Sequence, residues 1–249
     1  MAIEAGVIVP HAPVLALEDR PELDFFRRSA VDACRTLDAC DVLILLSPHG
    51  EAEGVYRAVE GSLKGFGLGA VAVSATTDDA MITRIASSWD REILEAEVDH
   101  GIVGALAIGR PSLPIIACSL AEVTGPAPAS EAGDVVESAF LFADALQGVA
   151  GDEKVGLIAS AHTAAALTPR APLALRPEAK ELDDMLLDHL ATDCGGLARV
   201  EPDLWSEAEA CGAGPLTVFG VLFEGRRADV LAYDHPFGVG YLVATASHG

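Results

Sequence analysis

The sequence predicts an α/β protein with a central mixed, largely parallel sheet flanked by helices. Short apolar runs recur along the whole chain, and segments with helix-type spacing or capping residues separate them. Two of the runs, around 42–46 and 155–159, are near-continuous Val, Ile and Leu. That is the composition of strands buried on both faces.

In chain order, strands are predicted at 4–9, 41–47, 68–73, 112–119, 155–161, 216–223, 227–233 and 240–245, where apolar and β-branched residues are concentrated. Helices are predicted at 19–39, 78–97, 133–147, 177–194 and 203–211. Between 122 and 133 the run EVTGPAPASEAG replaces the apolar pattern with Pro, Gly, Ala and Ser. It reads as a surface loop, because cutting the chain there leaves neither side with a complete alternation of strands and helices. Residues 1–249 are therefore expected to form one domain, with no internal repeat.

Composition narrows the function. Apolar residues make up 51% of the chain but aromatics only 5%, so the excess is Ala, Val, Leu and Ile, which suits packed strands and helices and not disorder. Sixteen Lys and Arg against thirty-eight Asp and Glu give a formal charge of −22. Such a surface repels a phosphate backbone, so nucleic acid is not expected as a partner. The acidic residues are spread along the chain and read as a solvated surface. Cys34, Cys40, Cys118, Cys194 and Cys211 are odd in number and contain no CxxC pair, which points to a reducing compartment and away from a disulfide framework or zinc ribbon. The N-terminal MAIEAGVIVPHAP carries an acidic residue where a signal peptide needs basic ones. No apolar stretch approaches the ~20 residues of a membrane span. A soluble, cytoplasmic protein is expected.

Three of the seven histidines sit where an apolar strand gives way to a loop: His11 after GVIVP, His49 after DVLILLSP and His162 after VGLIASA. Ligands bind at the carboxyl ends of strands in open α/β sheets, so three imidazoles in that position are expected to converge. His100, in EVDHGIVGAL, lies between a charged helical segment and a strand-like one, with Asp99 beside it to orient or cap. His189 reads as a surface-helix residue and His248 as part of the terminal tail.

VPHAP around His11, SPHG around His49, VDHGIVGAL around His100, SAHTAAALTPRAP around His162 and ACGAGPL around Cys211 together resemble the catalytic subunits of class III extradiol ring-cleavage dioxygenases and the related Memo-like proteins. The motifs follow the family's order over nearly the whole chain. The resemblance implies a single α/β domain and a metal bound through His11 and His49. Fe(II) is the metal of the dioxygenases, which complete the site with a carboxylate and leave positions open for O2 and a catechol. In Memo-like members a cysteine takes the third place, which corresponds to Cys211, with Glu207 and Glu209 as nearby carboxylate alternatives. A thiolate there shifts preference toward Zn or Cu.

The implied activity is extradiol-type cleavage of a small catecholic or related aromatic substrate, with His162 or His100 as acid/base. The alternative is a Memo-like metal-binding protein without ring cleavage. Aligned through LTPRAP, this chain has His162 where the family has Asp and Ala165 where it has its catalytic histidine. Some members use a small partner protein over the active site, so such a partner and a homo-oligomer both stay open.

Overall fold

Apolar alternation along the strands decides how the layers form. In the computed structural model, which describes residues 2–120, 129–149 and 151–248, the strands are β1 (Ala2–Val9), β2 (Val42–Ser47), β3 (Gly54–Tyr56), β4 (Val59–Leu63), β5 (Leu68–Ala75), β6 (Glu92–Leu94), β7 (Ile115–Ser119), β8 (Lys154–Ser160), β9 (Asp229–Asp234) and β10 (Tyr241–Ser247). The helices are α1 (Asp24–Arg35), α2 (Asp79–Trp89), α3 (His100–Gly109), α4 (Ala129–Gly148), α5 (Pro177–Thr192), α6 (Pro202–Glu207) and α7 (Ala213–Leu222). Eight strands form one sheet in the order β6-β3-β7-β2-β8-β1-β10-β9, while β4 and β5 pair separately. The four central strands β7, β2, β8 and β1 are parallel, and the flanking contacts of β3 with β7, β1 with β10 and β10 with β9 are antiparallel. The chain is thus a single α/β domain with a mixed, mostly parallel sheet.

Every residue of β2 is buried. Its side chains point alternately to the two faces, as strand geometry requires. Val42, Ile44 and Leu46 join a core with Met81 and Ile85 of α2, Phe142 of α4, Leu186 of α5 and Phe219 of α7. Leu43 and Leu45 join the opposite core with Phe26 and Ala30 of α1 and Ile102 and Val103 of α3. Burial on both faces is why these strands read as unbroken apolar runs.

Several predicted elements differ. The run 216–223, expected as a strand, belongs to α7, in which Leu216, Thr217, Val218, Phe219, Gly220 and Leu222 are all buried. A helix apolar on every side has no 3.6-residue stripe to reveal it, and its continuous run imitates a strand. The helix expected over 78–97 begins at its Asp78 cap, whose carboxylate accepts from the Met81 amide, but stops at Trp89, because Asp90 turns left-handed at φ 55° before β6. The helix expected over 203–211 is the shorter α6. The strand at 68–73 exists as β5, but in the separate β4–β5 pair. Of the loop expected at 122–133, residues up to 128 lie outside those described, and α4 begins at Ala129.

One close approach positions the site. Helix α3 crosses the end of β1 at Gly104, where an added Cβ would stand 2.3 Å from the His11 carbonyl oxygen. Gly104→Val should force α3 off β1 and lower the urea-unfolding free energy by about 1–3 kcal/mol, the usual cost of overpacking. Gly65→Ala, whose Cβ meets nothing within 4 Å, is the matched control and should leave the midpoint unchanged.

Candidate metal centre

β2, β8 and β1 are neighbours in the sheet, run parallel, and end together. Two residues beyond each end stands a histidine: His49 after Ser47, His162 after Ser160 and His11 after Val9. The imidazoles meet. His11 Nε2 lies 3.1 Å from His49 Nε2, and the His11 and His162 ring centroids are 4.0 Å apart. His100, the first residue of α3, stacks on His49 with centroids 4.1 Å apart and planes at 27°.

The protonation of His11 follows from its partners. Ser160 Oγ donates to the Gly101 carbonyl at 2.7 Å, and its only hydroxyl hydrogen is thereby used. The 2.9 Å contact from Ser160 Oγ to His11 Nδ1 must therefore have the histidine as donor. His11 is held as the Nδ1–H tautomer, with the lone pair of Nε2 turned toward His49. The second serine does the parallel task in the backbone: Ser47 Oγ accepts from the His49 amide at 3.1 Å and donates to Asp99 Oδ1 at 2.6 Å. Asp99 also accepts from Tyr56 OH and from the Gly101 and Ile102 amides, so it caps α3 and aims His100. Burial raises the Asp99 carboxyl above its ordinary value, and these four donors oppose that rise.

Burial also holds the imidazoles neutral. It drives His11 well below the usual histidine value, helped by His162, His49 and His100. It takes His49 down to about 2, with His100 and His162 adding to the effect, and His162 down to about 3, with His100 adding. His100 is lowered by burial as well. Neutral imidazoles are the form that binds metal.

Among the described residues, two groups have donor atoms close enough together to hold one ion: His11, His49 and His100, and His11, His162 and Cys211. Two nitrogens at ~2.0–2.1 Å from a zinc-type ion stand roughly 2.9–3.4 Å apart, which the 3.1 Å His11–His49 contact matches. Cys211 Sγ lies 3.6 Å from His11 Nε2 and 3.7 Å from His162 Nδ1, again near a nitrogen–metal–sulfur edge. His49 Nδ1 and His162 Nε2 are buried without a hydrogen-bond partner. The residues fit a divalent transition metal. Burial pushes the Cys211 thiol up to about 11, so it is protonated until an ion displaces the proton.

The structure thus gathers His11, His49, His100, His162 and Cys211 into one cluster. Glu209 stays outside both groups: its carboxylate pairs with Arg176 at 2.8 Å, and Glu207 is exposed. Ala165 is half-buried, and its amide donates to the Ala208 carbonyl at 3.3 Å. Ser160, Ser47 and Tyr56 were missed by sequence reasoning. Their signal was there: Ser-x-His occurs at 47–49 and at 160–162, a polar residue closing an otherwise apolar strand.

No protein-family model matches the chain, and no curated protein matches it. A solved structure does. The crystal structure of an uncharacterized protein from Escherichia coli K12 superposes with a TM-score of 0.60 at 16% identity, covering 97% of this chain and 99% of the other. At that identity the likeness shows a common fold.

Two outcomes follow. Ser160→Ala frees the His11 tautomer and should weaken zinc binding by about 10–100-fold in a competition titration, the usual effect of removing a partner behind a ligand. In the metal-free protein, the lowered histidines make the unfolded chain bind more protons below its ordinary histidine value near 6.5. Stability is then complete above about pH 6.5 and is lost as pH falls toward the folded values of about 3 and about 2. Because carboxylates titrate there too, the readout is the difference between wild type and His162→Gln, whose urea midpoint should fall less steeply from pH 6.5 to 4.

Proposed function

We propose that the protein holds a divalent transition metal at His11, His49 and His100 and acts on a small chelating aromatic of the catechol type. Extradiol-type ring cleavage with O2 is the proposed reaction when the ion is Fe(II). The observation that carries the reading is the pair of Nε2 atoms 3.1 Å apart, one of them fixed as a lone pair by Ser160. The ordered histidine motifs support the same reading from the sequence. His11, His49 and His100 would hold the ion, which when bound would supply charge neutralisation and a meeting point for substrate and O2.

The chain's own residues have separate tasks. His11 and His49 come from adjacent rigid strands, so their spacing does not depend on a loop. His100, assigned to acid/base work by the motif resemblance, is taken here as third donor, because among the described residues it is the one that completes a donor group containing both His11 and His49. His162 is assigned the substrate's hydroxyl proton on position: it sits beside the His11 ring and its buried Nε2 has no hydrogen-bond partner, and the negative charge of a deprotonating substrate would offset the burial that lowers its proton affinity. The buried setting keeps water from competing for that proton.

One observation favours a second reading. No carboxylate belongs to either donor group among the described residues, whereas the Cys211 thiol stands beside His11 and His162. Sulfur and nitrogen donors shift preference toward Zn or Cu, and the second reading is a metal-binding protein without ring cleavage.

The test is metal content followed by chemistry. His11→Ala and His49→Ala should each lose the ion by elemental analysis while far-UV circular dichroism stays unchanged; full occupancy in either would overturn the site. His100→Ala should weaken binding at least tenfold, with Cys211→Ser near wild type, and the reverse order would select the second reading. Protein reconstituted anaerobically with Fe(II) should consume O2 with one member of a catechol panel. No uptake with any member would leave metal binding without ring cleavage.

A further inference from the structure

The β4–β5 hairpin places one aromatic ring where nothing in the core explains it. Its base is fixed: Val59 and Leu63 are buried against Val98, Ile102 and Val103, the Val98 amide donates to the Glu60 carbonyl at 2.9 Å, and Lys64 pairs with Glu97 at 2.7 Å. Its tip, Gly65-Phe66-Gly67, lies beyond that base. An added Cβ at Gly65 or Gly67 would meet nothing within 4 Å, and Gly67 closes the turn at φ 75°. Phe66 is 53% exposed, yet its ring centroid is 5.0 Å from that of His100. His100 in turn stacks on His49, whose Nε2 faces His11. Phe66 is therefore the solvent-side end of a file of rings leading into the donor cluster.

An exposed phenylalanine on a tip with a glycine on each side is not there to fill the core, since more than half of it remains in water. Its position over the outermost histidine gives it a ligand-directed task. Phe66 lies on the solvent side of His100, so a flat ligand that reaches an ion at His11, His49 and His100 from that side would set its ring against the apolar face of Phe66. Aromatic pairs gain from offset or edge-on packing beyond the area they bury. A chelator without a ring gains nothing there.

We propose that Phe66 is a specificity-determining residue that packs against the ring of a planar aromatic chelator at the metal centre. The proposal rests on the metal reading above and adds the contact that selects aromatic over aliphatic ligands.

The experiment uses zinc-loaded full-length protein, so that no turnover intervenes, and two chelating probes: 4-nitrocatechol, followed by its absorbance, and acetohydroxamate, followed by displacement of 4-nitrocatechol. Phe66→Ala should raise the Kd of 4-nitrocatechol roughly five- to tenfold, the range of one aromatic pair. It should leave the Kd for acetohydroxamate and for zinc unchanged, and Phe66→Trp should restore 4-nitrocatechol binding. Equal 4-nitrocatechol affinity in wild type and Phe66→Ala would overturn the proposal. So would the same loss for both probes, which would mean that Phe66 acts through the ligand geometry. A wild-type protein that fails to retain zinc would overturn the metal reading itself, an outcome read before either probe is added.

Discussion

The site depends on the register of three adjacent parallel strands. Val9 of β1 pairs with Ser160 of β8, and Leu46 of β2 pairs with Ala159, so the strands end at one level. Backbone bonds continue that level past the strand ends, with the Ala161 amide on the Val9 carbonyl and the Leu120 amide on the Ser47 carbonyl. A slip of one residue in β8 would turn Ser160 to the other face of the sheet and break its contact with His11. The two fully apolar cores prevent that slip, since it would also carry Leu157 and Ile158 to the wrong sides. Hydrophobic registration is thus what positions the imidazoles.

Helix α3 adds what the sheet alone lacks. It delivers His100 across the strand ends and returns the Gly101 carbonyl to Ser160. Its own position is fixed at Asp99, which joins β2 through Ser47 and β3 through Tyr56. A buried carboxylate is costly unless its oxygens are satisfied, and here both are. Ser47 and Ser160, buried at the ends of otherwise apolar strands, hold the helix against the sheet at a defined distance.

Much of this was legible in the sequence, and the failures have physical causes. Val42–Ser47 and Lys154–Ser160 announced themselves because burial on both faces leaves no polar residue to interrupt them. The three strand-end histidines were legible because parallel strands share one ligand-binding edge. The run at 216–223 misled because α7 is buried all round, although Pro215 in its first turn, where no amide hydrogen bond is lost, was a helix signal. The opening residues of α3 misled in the same way. The partner of Glu209 was not legible at all: Arg176 is thirty-three positions away, and only the tertiary fold brings them together.

The contact between His11 and His49 also fixes how protons move when an ion enters. With the Nε2 of His11 held as a lone pair, the hydrogen in the 3.1 Å contact belongs to His49 Nε2, which leaves His49 Nδ1 as the unpartnered atom. Loading at these two residues therefore requires a hydrogen to cross the His49 ring, with no net release to solvent. Ligation by Cys211, protonated up to about 11, would instead expel one proton per ion. The two donor groups differ in proton stoichiometry as well as in atoms, and acidification would weaken the sulfur-containing arrangement well before the one built from nitrogen alone.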